Sequence, residues 1–533
     1  MKNKNYPLYP ITKISTLKQL IYNVPTIDEN IAFMYTMGKK KTVEVTYAQF
    51  KRDIESFGTY LYSKDLRNIH VAIIGENSYE WILTYFSTVL GGNVVVPVDK
   101  ELSIAEIANV LISSDSTVLV YSDTYEDVVD VLKGHNLNIT YINMNRIPCL
   151  LSSGRKEINA GNVEFINYKV REEHLSTIVY TSGTTGISKG VMLTHKNIAS
   201  NAVAACKNVQ AVGTTVCVLP LHHTFSFTLG ICAILLYRMP IYINKSLKNI
   251  TSDMQKAKPS FMFLVPMIVE TMYKKIWTTA QEQGKDKALK ILINLSNFLL
   301  AIGIDVRSKV FRSVLSAFGG NLDWISCGGA AIDRKYIKGF RDFGINIING
   351  YGITECSPIV SSNRPKYWVD GSVGTVVYGC EVKIDNPNSV GEGEILVKGT
   401  SVMKGYYKDE EATKQAFSNG WLRTGDIGRY ENEILYITGR TKNVIILSNG
   451  KNIYPEELEL ELMNIDGICE CMVYEEKGLL TAEIYSDGQI SEEEITKNIH
   501  RLNRTLPIYK QIVSIKFRAN EFEKTTTKKI KRR

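Results

Sequence analysis

The chain of 533 residues is long enough for about two to four domains, and with 44% hydrophobic and 22% charged residues it has the composition of a globular protein, not a disordered one. Net charge is +8, but residues 524–533 alone hold six Lys or Arg and no acid, so no broad basic face is implied and no nucleic-acid partner is expected. The nine cysteines are scattered without a CxxC pair, and the first residues lack the apolar core of a signal peptide; a disulfide framework and a metal cluster are disfavoured, and a reducing cytoplasmic location is expected.

Helical spacing begins after Thr46, where Phe50, Ile54, Phe57 and Leu61 recur at three- and four-residue steps. Residues 70–75 (HVAIIG), 93–98 (NVVVPV) and 117–121 read as short apolar strands, alternating with helices over 80–90 and 104–112. That alternation implies a parallel sheet covered on both faces. Another strand, 175–179, leads into residues 180–190 (YTSGTTGISKG), which hold three glycines, five Ser or Thr hydroxyls and one lysine. Glycines let backbone N–H groups approach an anion closely, hydroxyls add donors, and Lys189 brings a mobile charge. The stretch is suited to a polyphosphate. It is not the P-loop, because Ser188 stands where the second glycine of that motif belongs, and it lacks G-x-G-x-x-G.

Thr194 can cap the next helix, and 216–219 and 261–265 read as strands. The two most apolar runs are 225–243, interrupted by Arg238 and Pro240, and 288–302, which carries Lys290. Both read as buried elements, with no spanning segment expected. Residues 279–315 are mostly helical. A strand and a Gly-Gly-Ala turn follow in 324–331 (WISCGGAA), then a strand and a loop with an aromatic, a threonine and an acid in 345–355 (INIINGYGITE). Residues 371–374 and 391–397 suggest a smaller β-rich subdomain. The last part opens with a strand at 444–447, and Pro455 fits an early helix position.

YTSGTTGISKG resembles the phosphate loop of the adenylate-forming, or AMP-binding, superfamily of acyl-CoA synthetases, luciferases and peptide-synthetase adenylation domains. The likeness continues in the family's order: Val96-Pro97 with Asp99, PLHHTFSF at 220–227, the Gly-Gly-Ala turn, NGYGITE at 349–355, NGWLRTGD at 419–426, GRTKN at 439–443, GKNIYPEELE at 450–459 and EKTTTKKIKR at 523–532. The resemblance implies an α/β protein. Its large, multi-subdomain N-terminal adenylation domain, 1–439, would hold parallel sheets plus a β-rich subdomain. Residues 440–443 would be a hinge, and 444–533 a small mobile α+β lid domain.

It also implies a reaction: a carboxylate attacks the α-phosphorus of ATP, giving an acyl-adenylate and pyrophosphate, and a thiol then expels AMP. Thr181, Ser182, Gly183, Thr184, Thr185, Gly186 and Lys189 would hold phosphates. Gly328, Gly329 and Ala330 would pack on adenine and the acyl group. In the stretch Asn349, Gly350, Tyr351, Gly352, the tyrosine would stack on adenine, Thr354 would touch the α-phosphate, and Glu355 with Thr181 would hold Mg²⁺. Asp426 would accept the ribose hydroxyls, Arg440 would hold ribose or phosphate, and Lys442 would sit at the hinge. Lys529 would be the catalytic lysine, and His223 would lie at the acyl pocket. The chemistry is consistent: a purine needs a flat apolar partner, and a hard cation prefers carboxylate and phosphate oxygens. One departure is Lys528, which replaces the family's glycine and sets a second amine beside Lys529.

Residues 224–228 contain no acid, so a free α-amino acid is disfavoured as substrate. PLHHTFSF looks most like fatty acyl-CoA synthetases, with coenzyme A as the thiol. The alternatives are an acyl-carrier-protein ligase using a phosphopantetheine thiol, an aryl-CoA ligase, and a catalytically silent nucleotide-binding relative.

Overall fold

The computed structural model describes residues 7–23, 29–38, 41–135, 137–181, 188–446, 452–476, 478–524 and 530–532. The chain divides into two compact units: residues 1–381 with 398–417, and residues 382–397 with 418–533.

The first unit contains a seven-stranded sheet in the order Gly405–Tyr406, Lys189–Thr194, Leu175–Thr181, Val94–Pro97, His70–Ile74, Ser116–Tyr121, Thr140–Asn143. The last five run parallel, as the strand–helix alternation requires, whereas Lys189–Thr194 is antiparallel to both neighbours. Val96, Leu119, Ile178 and Ile74 are fully or nearly fully buried between this sheet and its helices. The helix Tyr47–Ser63 starts where Thr46 Oγ1 accepts the Gln49 amide at 3.1 Å, and its Phe50, Ile54, Phe57 and Leu61 are all buried. Helix His195–Asn208 has the expected Thr194 cap, closed reciprocally by Asn197.

A second sheet of this unit has a parallel centre: Asn346–Gly352, Trp324–Cys327, Phe261–Leu264, Thr215–Cys217, Ile241–Ile243 and Ile31–Met37. Ile359–Ser362 folds back antiparallel to Asn346–Gly352 and pairs on its other side with Gly374–Val376. Met262, Leu264, Ile325, Phe340 and Ile345 form the core on one face.

The two apolar runs separate here. Residues 225–243 are buried as expected, and Phe225–Ala233 winds as a π-helix. Residues 288–302 are not buried: they belong to the helix Asp286–Ala301, in which Ser296 alone is buried. The helix lies on the surface, so its apolar composition reflects no core position. Among the described residues, no helix is long and apolar enough to cross a membrane.

In the second unit, Trp421–Glu431 pairs antiparallel with both Gly393–Gly399 and Ile434–Arg440. Farther along, Ile468–Glu476 and Leu479–Ser486 pair antiparallel and Ser514–Arg518 joins in parallel. The helices Pro455–Leu462 and Glu492–Asn503 cover that sheet through Leu458, Leu462, Ile495 and Ile499. This is the α+β composition expected of the last part of the chain.

Candidate active site

In the first unit the phosphate-loop stretch is the connection of a hairpin. Leu175–Thr181 and Lys189–Thr194 are antiparallel, and Thr181 and Lys189 are their last paired residues, directly opposite each other. Ser182, Gly183, Thr184, Thr185 and Gly186 lie outside the described residues. Pairing at the root brings one hydroxyl and one ammonium to the base of the loop.

A third strand fixes this root to the acidic loop. Gly405–Tyr406 pairs with the outer side of Lys189–Thr194, with Tyr406 opposite Val191 and the Tyr407 amide donating to Gly190 O at 2.7 Å. Lys189 Nζ lies 5.1 Å from the centre of the Tyr406 ring, in cation–π range. Tyr406 Oη donates to Glu355 Oε1 at 3.0 Å. Burial, followed by the Glu355 charge, pushes the Tyr406 phenol up, so it remains a protonated donor near neutrality. Two further bonds hold the same loop: the Met403 amide donates to Glu355 O at 2.8 Å, and Ser357 Oγ donates to Ser401 O at 2.8 Å. Ser357 adopts φ +71°, a left-handed conformation uncommon outside glycine, just after the one-turn helix Thr354–Cys356.

Asn349, Gly350, Tyr351 and Gly352 lie on the strand Asn346–Gly352. Tyr351 is opposite Ser361, and Gly352 is opposite Ile359. A Cβ at Gly352 would stand 2.2 Å from Pro358 O, so only glycine permits this fold-back. Asn349 Nδ2 donates to Ser372 O at 3.2 Å. The Gly-Gly-Ala turn follows the neighbouring strand: Gly328 donates to Leu264 O at 3.3 Å, and a Cβ there would be 3.5 Å from Gly350 O. Gly329 has φ +88°, and both it and Ala330 are exposed. The turn, the tyrosine strand and the acidic loop are thus adjacent at one end of neighbouring strands of the second sheet.

His223 follows Pro220, whose carbonyl accepts its amide at 3.2 Å, and it precedes the π-helix. Its ring centre lies 4.1 Å from that of His222. His222 Nε2 is 3.3 Å from Asp99 Oδ1. Burial, with His223 and Lys100 as nearby charges, holds His222 well below the usual imidazole range. His222 thus sits as a buried neutral ring between Asp99 and His223.

In the second unit Asp426 and Arg440 face each other on paired strands, with Arg440 Nε 2.9 Å from Asp426 Oδ1. Asp426 is 3% exposed, while the arginine is largely open to solvent. Thr424 Oγ1 accepts the Asp426 amide at 3.1 Å and donates to Ile395 O at 2.7 Å, fixing the Thr-Gly-Asp turn. Lys442 lies two residues past Arg440. Burial, then the Arg440 and Arg532 charges, hold its ammonium below the ordinary lysine range.

Thr525, Lys528 and Lys529 lie outside the described residues, but the residues on either side of 525–529 are anchored. Lys524 and Ile530 form an antiparallel bridge, and the Lys531 amide donates to Glu523 O at 2.8 Å. Arg532 pairs with Glu459 on the helix Pro455–Leu462 and donates to Val473 O at 3.2 Å. Lys524 pairs with Glu470 and Glu521. Acids elsewhere in the unit thus partner part of the basic tail.

Tyr406 was not among the expected site residues. Its signal was a Gly-Tyr-Tyr step at 405–407, which composition does not distinguish from packing residues. Only the sheet pairing connects it to Glu355.

Comparison with known proteins agrees with this geometry. Residues 26–407 match the family model described as AMP-binding enzyme. Long-chain-fatty-acid–CoA ligase 5 of Mus musculus is 30% identical over 503 residues, covering 86% of this chain and 73% of that protein. Long-chain-fatty-acid–CoA ligase FadD15 of Mycobacterium tuberculosis is 28% identical over 449 residues, covering 79% and 73%. O-succinylbenzoate coenzyme A synthetase (MenE) of Bacillus subtilis, solved in complex with ATP and magnesium ion, has a TM-score of 0.76 at 23% identity, covering 96% of this chain and 98% of that one. With a family model matched over residues 26–407, most of its length, this chain belongs to the AMP-binding enzyme family.

Proposed function

We propose that the protein activates a fatty acid with ATP and transfers the acyl group to the thiol of coenzyme A. The observation that carries this reading is the Lys189–Tyr406–Glu355 connection, which ties the phosphate-loop root to the carboxylate expected to hold a cation. The named activity of the relatives supports both the acid and the thiol.

In the first step the carboxylate attacks the α-phosphorus and pyrophosphate leaves. Nucleophile and phosphate are both anionic, so positioning and countercharge carry most of the catalysis. The loop from Thr181 to Lys189 receives the departing pyrophosphate. Thr354 contacts the α-phosphate, Tyr351 stacks on adenine against the Gly328–Ala330 turn, and Asp426 accepts the ribose hydroxyls with Arg440 alongside. Lys529 bridges the carboxylate and α-phosphate, where negative charge converges. The donor set of Glu355 and Thr181, all oxygen, suits Mg²⁺, which would supply countercharge to the phosphates. His223, propped by His222, borders the acyl chain. In the second step the thiol attacks the acyl carbon and AMP leaves. Residues 440–443, with Lys442, form the hinge that lets 444–533 serve each half-reaction in turn.

The test is pyrophosphate release with fatty acids of increasing length and benzoate-type acids, each without acceptor, with coenzyme A, and with a phosphopantetheinylated carrier protein. Turnover with an aliphatic acid and coenzyme A is expected. Turnover with the carrier alone would make the protein an acyl-carrier-protein ligase. A preference for benzoate-type acids would make it an aryl-CoA ligase, and no adenylate with any acid would make it a silent relative.

A further inference from the structure

Among the described residues, nothing covers one apolar face of the surface helix Asp286–Ala301. At 100° per residue, Ile291, Leu295, Phe298 and Ile302 (just past the helix end) fall within an arc of about 60°. They are 67%, 52%, 64% and 60% exposed. The opposite side is the seated one: Ser296 is buried, and Asn297 Nδ2 donates to Asp342 Oδ1 at 3.0 Å. Ile304 continues the exposed apolar surface. A convex row of large apolar side chains pointing into water marks an interaction surface.

Charge selects the partner. Residues 285–312 contain six Lys or Arg against two acids, and one of those acids, Asp305, is already paired with Arg307 at 2.6 Å. Lys285, Lys287 and Lys290 are exposed on or beside this helix, and Lys309 and Arg312 are exposed in the two short helices that follow it. A second copy of the chain would bring this cationic rim against itself in a two-fold contact, which like charges oppose. An anionic bilayer offers both complements at once: hydrocarbon for the row and phosphate headgroups for the rim.

We propose that the helix Asp286–Ala301 and the turn after it form a docking surface for an anionic lipid bilayer, with Ile291, Leu295, Phe298 and Ile302 entering the interface and the surrounding lysines on headgroup phosphates. Exposure, helix phase and charge carry this inference independently of which acid the enzyme activates. With a fatty acid as substrate, the surface brings the enzyme to the phase in which that substrate dissolves.

The test is flotation of the full-length protein with phosphatidylglycerol-rich vesicles and with pure phosphatidylcholine vesicles. Wild-type protein floats with the anionic vesicles and detaches as salt is raised. Leu295→Asp with Phe298→Asp reduces flotation by about tenfold or more, and Lys287→Glu with Lys290→Glu reduces it on anionic vesicles. Amide hydrogen exchange of the unsubstituted protein slows over 286–302 when anionic vesicles are added, a readout that needs no variant to fold. Absence of wild-type flotation overturns the proposal, as does equal flotation of the Asp pair, or exchange over 286–302 that vesicles leave unchanged. Self-association lost in the Asp pair, without flotation, would assign the surface to a second copy instead. None of these readouts requires turnover, so failure here is distinguishable from failure of the fatty-acid assignment.

Discussion

Two carboxylates prepared in opposite ways serve the two units. Glu355 accepts a hydrogen bond from a phenol that carries no charge, a partner that leaves the carboxylate available to a cation. Asp426 is buried and meets a guanidinium, so its charge is already balanced and its remaining acceptor capacity suits neutral hydroxyls. Under the proposed function, the partner given to each carboxylate suits it to a different ligand: the phenol beside Glu355 to a cation, the guanidinium beside Asp426 to neutral hydroxyls. A hydroxyl partner keeps a carboxylate hungry for metal; an arginine satisfies it.

The largest expected effect removes a cation that neither carboxylate can replace. Lys529→Ala lowers adenylate formation by about 1,000-fold or more, but leaves thioester formation from preformed acyl-adenylate nearly intact. Assaying the two half-reactions separately tests this, and equal loss in both would dismiss the catalytic assignment of Lys529.

Next comes the comparison itself. Glu355→Gln slows adenylation by about 100- to 1,000-fold and shifts the Mg²⁺ requirement upward, because the site loses its charge. Asp426→Asn instead raises the KM for ATP about 10- to 100-fold, with a smaller penalty when 2′-deoxy-ATP is the substrate. Steady-state kinetics over a Mg²⁺ series distinguishes them: rescue of Asp426→Asn by added Mg²⁺ would break the division of labour drawn here.

A finer cut is Tyr406→Phe. The ring stays beside Lys189 while the hydrogen bond to Glu355 is lost, so adenylation falls about tenfold and the Mg²⁺ dependence shifts in the same direction as in Glu355→Gln. An unchanged Mg²⁺ profile would reduce Tyr406 to a packing residue.

The smallest effect concerns the scaffold, not the site. His195 is fully buried, and burial drops its imidazole to about 3; His222 is likewise held neutral. The unfolded chain binds these protons below about pH 6.5 while the folded chain does not, so stability is present above that pH and falls as pH drops below it. Each histidine contributes a loss of up to about 1.4 kcal/mol per pH unit in that window. A falling Tm from about pH 7 to pH 5, flattened in His195→Gln, is expected; a Tm independent of pH over this range would contradict it.

The amino-acid sequence by itself determined the local elements and the motif strings. Thr46 and the Phe50–Ile54–Phe57–Leu61 spacing specify a capped amphipathic helix, and β-branched runs such as 93–98 specify buried strands, because propensity and periodicity act within a few residues. The likeness of 180–190, 349–355 and 419–426 to family motifs was readable for the same reason: each is contiguous. What only the tertiary structure decided involves partners distant in the chain. Tyr406 reaches Glu355 across 51 positions, and Arg532 reaches Glu459 across 73. The run 288–302 has the composition of a core element, yet it lies on the surface because no element among the described residues covers its apolar row. Burial depends on what the rest of the chain places alongside a segment, and hydropathy summed along that segment does not decide it alone.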